Sequence, residues 1–136
     1  MNTFKLPTNV YFDENALDVL CSYQNVNAVI FTDPFMVKSG VADTIAKKLS
    51  GCSSVRIFGD VRPDPPIELI AQGLDFLVKA NADIVVALGG GSSIDAAKAV
   101  ILMAKRTGKK QDIRLIAVPT TSGTGSEVTQ FAVITD

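Results

Sequence analysis

Strand-like runs with no wet side constrain this chain more than any other feature. NAVIFTD (27–33), DIVVALG (83–89) and IRLIAVP (113–119) are almost continuously apolar, and SVRIFG (54–59) reads as one more strand. A strand with one face in water alternates apolar and polar residues; these do not, so both faces must be covered. The intervening segments carry helical spacing, so strand and helix alternate along the chain. That order specifies a parallel sheet sandwiched between helices, a Rossmann-like α/β fold with no internal repeat or linker.

The helical stripes are read from residues three and four apart. Residues 14–23 place Leu17, Leu20 and Cys21 on one side, and 33–49 place Val37, Val41, Ile45 and Leu49 on another. After the proline-rich connector VRPDPP (61–66), Ile67, Ile70, Ala71, Leu74, Leu77 and Val78 form a third stripe. A fourth helix is expected over 92–108. A short β-prone stretch covers Asn9 to Phe12, and QFAVITD (130–136) reads as a strand with no evident partner. A lone terminal strand leaves an open edge. The expectation is therefore a chain that continues past Asp136, with residues 1–136 forming one domain of a larger protein.

Totals narrow the function. The formal charge of -1, with acidic and basic residues interspersed, excludes the basic footprint needed for nucleic acid and the polybasic patch needed for a membrane surface. No apolar run reaches membrane-spanning length and the N-terminus lacks a signal-peptide core. Cys21 and Cys52 have no metal-like spacing, and Cys21 reads as a small buried hydrophobe. A cytoplasmic setting is expected. The chain has no histidine, which argues against a catalytic zinc or iron site and against histidine acid–base chemistry within these residues.

In sheets of this kind ligands bind beyond the carboxyl ends of the strands. Three candidates lie there. The first is Gly89-Gly90-Gly91-Ser92-Ser93, a strand end passing at once into a helix. A helix N-terminus offers free N–H groups and partial positive charge, and absent side chains let a pyrophosphate lie against the backbone. The bland alternative is a tight turn. Ile94 stands where the common dinucleotide fingerprint has its third glycine, and the turn follows the third strand of the alternation rather than the first. Ser92-x-x-Asp95 reads as a capping box and Lys98 as a surface lysine. The second candidate, PTTSGTGSEVT (119–129), concentrates the hydroxyls of Thr120, Thr121, Ser122, Thr124 and Ser126, suited to ribose and phosphate oxygens. Its alternative is an elaborate cap, since Thr124-x-x-Glu127 is itself a capping box. The third is Asp33, placed either to accept hydrogen bonds from ribose hydroxyls or to open the next helix as an Asp-Pro turn.

These residues resemble the iron-dependent (group III) alcohol dehydrogenases. GGGSSIDAAKA and PTTSGTGSEVT are similar to that family's two nucleotide-binding motifs, and TDPFMVKSGVAD to its early ribose-binding stretch. MNTF and FGDVRPDPPIELIAQG are most similar to the propanol dehydrogenases of propanediol and ethanolamine utilisation. The resemblance implies an N-terminal NAD-binding domain of a two-domain enzyme that interconverts short-chain primary alcohols and aldehydes. A divalent metal, Fe2+ or Zn2+, would sit in a helical C-terminal domain absent from this chain, where its Asp and His ligands belong. Carried over by motif, Asp33 would bind the adenosine ribose, Gly90, Gly91 and Ser92 the pyrophosphate, and Thr120, Thr121 and Thr124 the adenine, ribose and phosphate groups. Asp64 stands where many members have Asn. The family also implies a homodimer through the N-terminal strand, with Thr3 to Phe12 as the contact, and a cytoplasmic or bacterial-microcompartment location. A glycerol or polyol dehydrogenase on the same scaffold, or a free-standing nucleotide-binding module, are the alternatives.

Overall fold

The structure, a computed structural model, describes residues 8–12, 16–110, 112–120 and 131–135. The strands are β1 (Thr8–Phe12), β2 (Asn27–Phe31), β3 (Ser54–Phe58), β4 (Ile84–Gly89), β5 (Arg114–Pro119) and β6 (Phe131–Thr135). The helices are α1 (Pro34–Lys38), α2 (Val41–Lys48), α3 (Ile67–Lys79) and α4 (Gly91–Arg106), preceded by a 3-10 helix over Ala16–Ser22. They build one sheet in the order β1-β6-β5-β4-β2-β3.

The middle of the chain forms the expected parallel layer, β3-β2-β4-β5. Its strands bury alternate residues into opposite layers, as doubly covered strands must. Val29, Phe31, Val85, Ala87 and Leu115 face a core shared with Leu74, Leu77, Ala97 and Val100 of α3 and α4. Ala28, Ile30, Val86, Leu88 and Ile116 face the other core, with Leu20, Met36, Val41, Ile45 and Leu49. Phe31 stacks on Phe58 at 4.9 Å, and Phe58 meets the edge of Phe76 at 5.4 Å, locking α3 to the sheet.

Strand order explains the position of the glycine turn. β2 runs outward to β3, whereas the chain then crosses back by α3 to place β4 on the other side of β2. Among the parallel strands this is the flavodoxin-like order, whose direction reverses between the first and third strands. The crevice opens at that reversal, beyond the ends of β2 and β4. The glycine turn follows the third strand because that strand borders the crevice.

Several expectations are corrected. β6 is not partnerless: it lies antiparallel between β1 and β5, with Val133 opposite both Val10 and Ala117. Its partner β1 comes from the other end of the sequence, a pairing that no local pattern reveals. The sheet is therefore mixed, and the argument for continuation drawn from a bare terminal strand falls away. The segment 33–49 makes two helices because Gly40, at φ 87°, breaks it; Met36 is buried in place of Val37, which is 42% exposed. Residues 16–22 wind at three residues per turn, which aligns Leu17 with Leu20 and turns Cys21 out to solvent. Cys21 is thus exposed, not buried. Cys52 is half-buried, and burial pushes its thiol pKa up.

α3 is turned relative to its sequence stripe. Leu69, Gly73, Leu74 and Leu77 are buried, while Ile67 is 74% exposed and Ala71 is exposed. Gly73 is the reason. A Cβ there would lie 3.1 Å from the Phe31 ring and 3.2 Å from Val100, so the bare backbone at this point presses against sheet and neighbouring helix. No helix among the described residues is long and apolar enough to cross a membrane.

This rotation separates two residues that one stripe would treat alike. Leu77→Ala is expected to cost about 2–5 kcal/mol, as for other fully buried leucines. Ile67→Ala should stay within about 0.5 kcal/mol. Urea unfolding at unchanged slope checks both; equal losses would contradict the placement of α3.

Candidate functional site

The carboxyl edge brings together candidates that are remote in sequence. Asp33 lies two residues past the end of β2 and is the N-cap of α1: its Oδ1 accepts from the Met36 N–H at 2.9 Å, with Pro34 in the first helical position. The helix-opening role is therefore real, and it uses one carboxylate oxygen. The other points across to the glycine turn; a Cβ built on Gly89 would lie 3.5 Å from Asp33 Oδ2. From the far side, the Thr120 N–H donates to the Gly89 carbonyl at 3.0 Å, one step past the Gly89–Pro119 pair. Asp33, Gly89 and Thr120 thus converge on one point at the reversal of strand order. Thr121 and Thr124, with the rest of the hydroxyl-rich loop and its capping box, lie outside the described residues.

The three glycines are not equivalent. Gly89 has φ 134°, a region L side chains rarely occupy, and an added Cβ would come within 2.9 Å of Ser93 Oγ. The fold requires glycine there. Gly90 has φ -83°, Gly91 begins α4, and among the described residues a Cβ on either would meet nothing within 4 Å. Neither is explained by backbone angle or by packing. Both border open space.

The start of α4 also differs from expectation. Gly90 is the N-cap, and no side chain caps the helix. Ser92 consequently lies inside the first turn, where it cannot form the capping box expected with Asp95. Asp95 and Lys98 are both exposed. The uncapped first turn leaves the amide hydrogens of Gly91 and Ser92 without a side-chain acceptor, at the positive end of a helix of 16 residues. Such an end attracts an anion, and the bare glycines let a flat or bulky anion reach the backbone.

Two buried polar residues sit beneath this surface, of which sequence reasoning missed Thr32. Thr32 is fully buried, and its Oγ1 donates to the Leu88 carbonyl at 2.8 Å. Ser93 is also buried, under Gly89. Thr32 is the polar end of an otherwise apolar run, and that mismatch was its only signal. Connector residues 59–66 are pinned over the same edge, since the Val61 N–H donates to the Thr32 carbonyl at 3.1 Å and Val61 is fully buried. Asp64 is exposed with φ 47° in this connector. Beside Asp33 a depression of about 350 Å³ opens, lined by Pro34, Val37, Lys38, Ile57, Gly59 and Asp60.

A doubly wound sheet with a glycine turn at its reversal point defines the class: a Rossmann-like α/β domain. The chain belongs to the iron-containing alcohol dehydrogenase family, whose model matches residues 7–136. It is 38% identical to the 1-propanol dehydrogenase PduQ of Salmonella typhimurium, over 100% of this chain and 36% of that protein. Among solved structures it resembles an iron-containing alcohol dehydrogenase from Thermotoga maritima, with a TM-score of 0.69 and 30% identity over 93% of this chain and 40% of that one. It also resembles a sulfoacetaldehyde reductase from Bifidobacterium kashiwanohense solved in complex with NAD+ (TM-score 0.63, 29% identity, 85% of this chain and 34% of that one). The chain spans about a third of the length of the PduQ relatives. Among the described residues no group of three or more His, Cys, Asp or Glu could hold a metal ion. The described residues offer no donor set that fits iron.

The contrast among the glycines is measurable. Gly89→Ala should destabilise the protein by about 1–3 kcal/mol through forced backbone strain. Gly91→Ala should be neutral or stabilising by up to about 1 kcal/mol, because it restricts the unfolded chain without strain. Denaturant midpoints decide it; a large loss at Gly91 would mean the fold does need that glycine.

Proposed function

We propose that this chain is the NAD(H)-binding domain of a metal-dependent alcohol dehydrogenase that interconverts short-chain primary alcohols and aldehydes. One observation carries the reading: among the described residues Gly91 has no cause in backbone angle or packing, and together with the N-cap Gly90 it borders open space at a helix N-terminus that no side chain caps. A pyrophosphate needs such a place. The family membership and the names of the relatives, a propanol dehydrogenase and an NAD+-bound aldehyde reductase, support the same reading.

On this reading Gly90, Gly91 and Ser92 hold the pyrophosphate through backbone N–H groups and the helix charge. Asp33 Oδ2 accepts from the adenosine ribose hydroxyls while Oδ1 keeps its cap. Thr120, Thr121 and Thr124 supply hydroxyls along the adenosine and phosphates. The bound nicotinamide supplies the hydride acceptor or donor. The chain's own share is orientation, which removes an entropic part of the barrier by holding the ring where an alcohol carbon can reach it. The divalent metal and the substrate pocket belong to a helical domain outside this chain. The reading includes a homodimer, for which β1 is a suitable element because it stands at the sheet edge, and a cytoplasmic or microcompartment location.

Gly91→Val tests the pyrophosphate assignment, since a Cβ there meets no described atom within 4 Å and the side chain would enter the ligand's space. Calorimetry should show NAD binding lost in a folded variant. Unchanged binding would reduce the turn to a connector.

Asp33 sets the cofactor preference. A carboxylate about 4 Å from a 2′-phosphate meets a repulsion of order 4 kcal/mol per unit charge at intermediate dielectric. Solvent and salt reduce this to roughly 1–3 kcal/mol, about ten- to a hundredfold in selectivity. Asp33→Asn keeps a capping oxygen, which Asp33→Gly would not, and removes the charge. The NAD-to-NADP ratio of kcat/KM in the complete enzyme should fall by that factor. A constant ratio would leave Asp33 as a helix cap alone.

A further inference from the structure

We infer that Thr32 is a positioning residue for cofactor selection: its buried hydroxyl holds the end of β4 against the end of β2, and so sets where the Asp33 carboxylate stands over the glycine turn. The inference rests on the proposed NAD site and adds a residue that touches no cofactor atom. The register between β2 and β4 ends at Phe31–Ala87, one pair short of Thr32 and Leu88. Beyond it the backbone of Thr32 serves the opposite side. Its N–H donates to the Phe58 carbonyl at 3.0 Å, and its carbonyl accepts from Val61 at 3.1 Å. Only the side chain spans the gap to β4, donating from Oγ1 to Leu88 O at 2.8 Å.

The two groups joined in this way flank the selective pair. Asp33 follows Thr32 and Gly89 follows Leu88, and it is across these neighbours that Asp33 Oδ2 approaches Gly89. The rest of Asp33 is fixed to α1 by its cap and Gly89 is fixed to β5 by Thr120, so the Thr32 bond is the side-chain link that ties these two anchored bodies directly. A buried carbonyl deprived of its donor must find another or move. Here, movement opens the distance between the carboxylate and the turn. A bound 2′-phosphate then meets less repulsion, and the ribose of NAD loses part of its acceptor.

The test is a double-mutant cycle read on dissociation constants. In the complete protein, NAD and NADP are titrated against wild type, Thr32→Val, Asp33→Asn and the double variant. The ratio of the two constants is the readout, because general loss of stability lowers the competent fraction equally for both cofactors and cancels. Thr32→Val should lower the NAD preference about three- to tenfold, and Asp33→Asn should then change it less than it does in wild type. Thr32→Ser, which keeps the hydroxyl, should restore the wild-type ratio. If Thr32→Val does not fold, Thr32→Cys keeps the shape with a far weaker donor and carries the same expectation. A wild-type ratio in a folded Thr32→Val or Thr32→Cys protein, or full additivity with Asp33→Asn, overturns the positioning role while leaving the NAD reading intact. Absence of NAD binding in wild type overturns both.

Discussion

At Gly89 the main chain passes from strand to helix with φ 134°, directly above the buried Ser93. No side chain fits both the angle and the space. This single residue lets β4 end and α4 begin within two positions, so the helix starts at the crevice instead of beyond it. The consequences spread along the edge. The Gly89 carbonyl turns to accept from Thr120, which brings the start of the hydroxyl-rich segment alongside, and the bare α-carbon gives Asp33 room to lean across from β2. A Cβ at this position would push on Ser93 from one side and lie in van der Waals contact with Asp33 on the other. The geometry that makes the site is therefore also a constraint on the fold.

Gly90 and Gly91 belong to a different accounting. Glycine inside the first turn of a helix costs stability relative to alanine, and at Gly91 the described residues show nothing gained in return from packing or backbone freedom, whereas Gly90 stands at the N-cap, where glycine is acceptable. The missing cap also weakens α4: among the described residues serines stand at the second and third helical positions, two and three places past the cap. Two local choices that weaken α4 thus coincide at the one end of the sheet where a doubly wound fold binds ligands. On the proposed reading these departures serve what binds there.

The fold was legible wherever burial imposed a period. β2, β4 and β5 were readable because doubly covered strands must be apolar throughout, and α2 was readable because Val41, Ile45 and Leu49 keep the four-residue spacing over the core. The misses share a cause in contacts that the local pattern does not encode. α3 is rotated by roughly a quarter turn from its stripe because Gly73 invites Phe31 and Val100 onto its backbone. Cys21 points outward because the segment winds as a 3-10 helix, whose period brings Leu17 and Leu20 into line. The pairing of β6 with β1 joins opposite ends of the chain. At the site, Asp33 and the glycine turn were visible as residues placed just after strands. Thr32 was hidden, because a threonine closing an apolar strand looks like a boundary until its partner, 56 residues away, is known.

What the edge can and cannot do chemically follows from these placements. It offers backbone N–H groups, one carboxylate and a series of hydroxyls, all suited to holding charge and ribose, and it contains no histidine to move a proton near neutral pH. Hydride transfer needs no proton carrier on the cofactor side, since the reacting group belongs to the nicotinamide itself. On the proposed reading it needs that ring held still against a substrate carbon whose oxygen is activated elsewhere. Rigid strand ends are well suited to holding the ring. Asp33, Gly89 and Thr120 are tied to β2, β4 and β5, which are covered by helices on both faces and cannot move independently without breaking the core. On the proposed reading, placing selectivity on these buried strands and activation on a separate domain lets the two partners of the reaction be aligned by the closing of one crevice.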